Sequence, residues 1–89
     1  MPEEKRKILK NKIKEAALQI DIEELVPLYE TAVKKAGTRI ATAIALDVVL
    51  ENKNIQPDQL AKDFIIKAAD DKNELLQLEA KEIASKYNI

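Results

Sequence analysis

Apolar residues recur along this chain at helical rather than strand spacing, and they divide it into five segments. The first runs from about Glu3 to Ile20. Leu9, Ile13, Ala16, Ala17 and Ile20 form one stripe. Lys5 and Lys12 flank it on one side, and Lys7, Lys10 and Lys14 on the other, where their stems can cover the stripe's edge. Asp21 and Glu24 then stand at capping-box spacing and predict a second helix start. Pro27 sits either in the first turn of a helix capped at Val26 or inside one begun at Asp21. Leu25, Leu28 or Tyr29, Ala32, Val33 and Ala36 give the second helix's buried face, and Gly37 its left-handed stop.

Thr38 is the next N-cap, and the third helix runs from Thr38 to Asn52. Ile40, Ala41, Ala43, Ile44, Ala45, Leu46, Val48, Val49 and Leu50 make it apolar almost all round, the pattern of a helix with neighbours on most sides. A loop from Asn52 to Gln56 follows. Pro57 suits the first turn of a fourth helix and Asp58 its N-terminal dipole, with Leu60, Ala61, Phe64, Ile65 and Ala68 facing inward. Asp71 and Glu74 repeat the capping-box spacing ahead of a fifth helix, from about Lys72 to Tyr87, which buries Leu75, Leu76, Ile83 and Tyr87 with Leu78 and Ala80 at its edge. No Gly or Pro separates the fourth segment from the fifth, so one long helix is the alternative. The expected fold is all-α: a compact antiparallel bundle of four to five short helices in a single domain, residues 1–89, around the apolar third helix.

Composition narrows the chemistry. The 89 residues include no Cys and no His, which removes disulfides, Cys/His zinc sites, thiol nucleophiles and imidazole bases. One Gly cannot build a Gly-rich phosphate loop. The pairs Glu23-Glu24 and Asp70-Asp71 fall at helix starts, where they complement the dipole. Adjacent residues do not share a helix face, so neither is an organised dyad. These absences point away from an enzyme, and no catalytic, cofactor or metal residue is assigned. No apolar run approaches the ~20 residues of a membrane span, and Met1-Pro2-Glu3-Glu4 opens without a signal peptide's apolar run, so a cytoplasmic protein is expected. Abundant Lys, Glu and Ile without Cys, His or Trp fit a thermophile, and the Lys and Ile also fit an AT-rich genome.

Net charge is −1, but it is segmented. Residues 1–14 hold six bases against two acids, and residues 15–30 hold five acids and no base. Asp47 and Glu51 lie four apart on the apolar third helix, as a narrow exposed stripe or as partners for a basic protein. Ile8, Leu18, Ile55, Ile66 and Ile89 fall off the inner stripes, more apolar surface than a chain this short easily hides. The leading expectation is a non-catalytic protein-interaction module, a homo-oligomer or small accessory subunit, contacting protein through Leu18, Asp47, Glu51 and Ile66. The alternative is a nucleic-acid-associated protein that uses Lys5, Arg6, Lys7, Lys10, Lys12 and Lys14 with a Lys34, Lys35, Arg39 patch. Two helices meeting at Gly37 loosely resemble a helix-turn-helix, but the second is too apolar to read base edges.

Overall fold

The computed structural model describes residues 4, 7–8, 11–13 and 20–89. Residues 4, 7–8 and 11–13 are helical, and four further helices are α1 (Ile22–Thr31), α2 (Ala36–Lys53), α3 (Gln59–Ala69) and α4 (Glu74–Lys86). There is no strand among the described residues. The fold is the expected all-α bundle, with a Cα radius of gyration of 11.6 Å, close to the ~12 Å typical of a folded chain this long. α1 packs on α2 and α3 on α4, and contacts of α2 with α4 and of α1 with α3 close the bundle.

α2 is the central helix. From Thr42 to Leu50 every residue is buried, with Ile44, Leu46 and Leu50 wholly inaccessible. Each such side chain contributes about 1.5–3 kcal/mol of transfer free energy. Around α2 lie Leu25 of α1, Ala61, Phe64, Ile65 and Ala68 of α3, and Leu76, Ala80 and Ile83 of α4. The ring of Tyr29 in α1 meets Phe64 with centroids 4.8 Å apart, at 42° between planes.

The helix ends differ from the sequence expectation in informative ways. α1 begins after Asp21 and runs through Pro27, yet the Asp21 side chain makes no capping bond. It reaches Lys53 instead, at 3.3 Å. Gly37 is not a stop: its φ is not positive, and α2 starts one residue earlier, at Ala36, with Thr38 inside its first turn. The left-handed position is Asn54, φ 52°, where the Asn54 and Ile55 amides close the carbonyls of Glu51 and Leu50. Asp58, rather than Pro57, begins α3, its carboxylate accepting from the Ala61 amide at 2.9 Å. Asn73 caps α4 by accepting from the Leu76 amide at 3.1 Å, so the Asp71–Glu74 box does not form. The break after Ala69 settles the fourth and fifth segments as two helices.

Candidate functional site

Val33 and Leu60, expected inside, are at the surface, and so is Leu28, the alternative to Tyr29 for the inward position. Helical spacing extrapolated through Val33 and Ala36 assumes that α1 continues, but α1 ends at Thr31 and Ala32 takes the buried position. The turn at Val33-Lys34 then carries Val33 outward, 73% exposed. Leu28 lies on the flank of α1, 47% exposed, because Tyr29 occupies the inward position. Together with Thr31, Ala32, Lys34, Lys35 and Thr38 these two residues line an open groove of about 450 Å³ at the α1–α2 corner. Leu28 and Thr38 also border a second, wholly apolar groove of about 240 Å³ lined by Ile13, Ile20, Leu25, Ala41, Thr42 and Ala45.

The electrostatics of this corner come from the helix ends. Lys35, the N-cap of α2, makes no side-chain capping bond, and the first turn of α2 holds no acid, so the positive end of its dipole is not neutralised from within that turn. Lys34 and Lys35 are exposed beside it. Glu23 and Glu24, both exposed, stand at the other end of α1.

Behind the corner a polar knot fixes the turn. Arg39 grips Asp71 with two parallel bonds, Nε to Oδ2 at 3.0 Å and Nη2 to Oδ1 at 3.1 Å, and the two side chains are only 12% and 10% exposed. Its Nη1 donates to the carbonyls of Ala32 at 2.9 Å and Val33 at 2.6 Å, in the turn that follows α1. Tyr29 Oη donates to Asp71 Oδ2 at 2.8 Å, and the Asn73 amide donates to Asp71 Oδ1 at 2.9 Å. Gln77 Nε2 closes the set by donating to the Asp71 carbonyl. Burial opposes ionisation of Asp71, but its bonds from Arg39, Asn73 and Tyr29 prevail and hold the carboxyl below its ordinary range. Burial and the bond to Asp71 push the Tyr29 phenol up to about 12.

A second polar cluster joins α2 to α4. Asp47 is no part of an exposed stripe: it is 1% exposed, inside the bundle. Lys86 Nζ reaches its Oδ1 at 2.9 Å and also bonds Glu51 Oε1. Burial disfavours the ammonium, but its bonds to Glu51 and Asp47 outweigh that and hold the Lys86 pKa above the lysine range. Asp47 is therefore withdrawn from any external partner, and the exposed Glu51 is engaged by Lys86.

The other predicted site residues divide as follows. Leu18, Lys5, Arg6, Lys10 and Lys14 lie outside the described residues. Lys7 and Lys12 are exposed on the helical N-terminal segment. Ile66 is 57% exposed on α3, outside the lining of either corner groove. Lys34 and Lys35 stand in solvent while Arg39, expected beside them as a third surface cation, is folded into the Asp71 knot. Among the described residues no group of His, Cys, Asp or Glu is arranged to hold a metal ion, and no helix is long and apolar enough to cross a membrane. No protein-family model, curated protein or solved structure matches this chain.

Proposed function

We propose that this protein is a non-catalytic protein-interaction module, a self-assembling unit or an accessory subunit, whose contact surface is the α1–α2 corner. The observation that carries the reading is the exposure of Val33 and Leu28 side by side on an open groove, rimmed by Lys34 and Lys35. Large apolar side chains gathered on one concave surface mark contact with another macromolecule more often than chance exposure. The Arg39–Asp71 knot supports it, because a turn tied by carbonyl and carboxylate bonds presents Val33 in a fixed place. The proposal sets this surface ahead of Ile66 as the principal contact; Leu18 lies outside the described residues.

The test is recovery of the tagged chain from its native extract after nuclease treatment, compared with a Leu28→Asp/Val33→Asp variant. Both substituted positions are exposed, so the variant keeps wild-type helicity and melting temperature. The reading predicts a defined protein complement, copies of the chain or others, that survives nuclease and is lost in the variant. A complement unchanged in the variant contradicts the choice of surface. A second reading, association with nucleic acid, has one observation in its favour: Lys34 and Lys35 flank an α2 start that carries no acid. It predicts partners that vanish with nuclease and retention on heparin that falls steeply with salt.

A further inference from the structure

Charge on the α1 flank is sorted by sign from one end to the other. Four acids lie between Asp21 and Glu30, and two bases, Lys34 and Lys35, follow the helix. Two of the acids are committed internally, Asp21 to Lys53 and Glu30 to Lys67, each at 3.3 Å. Glu23 and Glu24 at one end, and Lys34 and Lys35 at the other, have no ion-pair partner among the described residues. Between the two ends stand the exposed apolar side chains Leu28 and Val33.

From this arrangement we propose that the occupant of the corner groove is a second copy of this chain, docked two-fold and antiparallel, α1 against α1. This inference rests on the protein-interaction reading above and names the partner. A two-fold contact is self-complementary, so a residue at one end of the flank meets the residue from the other end of its copy. Glu24, Leu28 and Thr31 lie at i, i+4 and i+7 along one side of α1, and Lys35 lines the corner groove together with Leu28 and Thr31. Reversing the copy sets Glu24 against the lysine end of the opposite flank, with Leu28 near the axis and Val33 entering the opposite groove beside Ala32 and Thr38. The parallel arrangement sets like charge on like charge. The ten residues of α1 span only ~15 Å, so the interface falls at or below the ~1,200 Å² of stable complexes and the dimer is weak and reversible.

Sedimentation equilibrium of the full chain tests this. Wild type is expected to show a reversible monomer–dimer equilibrium that Leu28→Asp, or independently Val33→Asp, abolishes with the melting temperature unchanged. Glu24→Lys and Lys35→Glu are each expected to weaken dimerisation on the order of tenfold, and the double swap to restore it. Weakening in both singles without restoration in the double overturns the antiparallel register. A dimer indifferent to Leu28→Asp and Val33→Asp overturns this interface. A monomer at every concentration overturns self-docking. The interaction reading itself then stands or falls on whether the nuclease-resistant complement depends on Leu28 and Val33.

Discussion

At the residue scale, Arg39 ties distant parts of the chain together. One guanidinium joins the chain after α1, the start of α2 and the α3–α4 turn, through Ala32, Val33 and Asp71. Replacing it by Met removes the cationic partner of the largely buried Asp71 carboxylate and is expected to cost about 3–5 kcal/mol in denaturant unfolding. Asp71→Asn is the milder form. Because the Asp71 pKa is lowered in the fold, its contribution is present above the ordinary carboxylate value of 3.8 and is lost as pH falls through the folded value. Asp71→Asn therefore flattens the acid limb of the stability–pH curve. Tyr29 and Lys86 work at the opposite end. Both pKa values are raised, so their contributions are complete below 10.0 and 10.5 respectively and are lost as pH rises through the folded values. Tyr29→Phe is expected to reduce the alkaline loss between 10.0 and about 12, read by melting temperature against pH. None of these partners was legible in the sequence. Arg39 and Asp71 are 32 residues apart, and Asp47 and Lys86 are 39 apart. Helical spacing says which face a residue takes but not which distant residue waits there.

At the scale of the elements, the periodic stretches were read well and their ends were not. The Ala43 to Leu50 run is apolar except for Asp47, and that marks α2 as central. The ends turn on one or two hydrogen bonds among small polar residues, and several residues compete for each. α1 ends at its C-cap Ala32 without the left-handed stop expected at Gly37, and Asn73 takes the cap expected of Asp71. Gly37 gives the sharpest consequence. It sits in helical geometry, and a Cβ there meets nothing within 4 Å. Gly37→Ala is therefore expected to stabilise the protein by about 0.5–1 kcal/mol, where a left-handed glycine would lose stability. The midpoint of urea unfolding decides it. Asp58→Ala, which removes the α3 cap, is expected to cost ~1 kcal/mol in the same assay.

For the whole molecule, the all-α bundle was legible because a single apolar helix organises it. The proposed contact surface was legible only in kind. Excess apolar residues were foreseen, and Ile8, Ile55, Ile66 and Ile89 are indeed exposed. The groove is not legible in the periodicity because it is made where α1 stops, and Val33 reads as interior for as long as the helix is continued through it. This contrast separates folding from assembly. Leu46→Asp puts a charge at a wholly buried site and is expected to unfold the chain. Ile66→Asp, on an exposed face of α3, leaves both fold and corner intact.

The most direct test of the corner as the working surface is site-specific photo-crosslinking in native cells. A benzophenone side chain is placed at Val33, and in a control at the exposed Lys62 of α3. Contact through the corner predicts a discrete crosslinked protein species at Val33, a second copy of the chain or another subunit, and none at Lys62. Crosslinking at Val33 no stronger than at Lys62, or to nucleic acid alone, contradicts it.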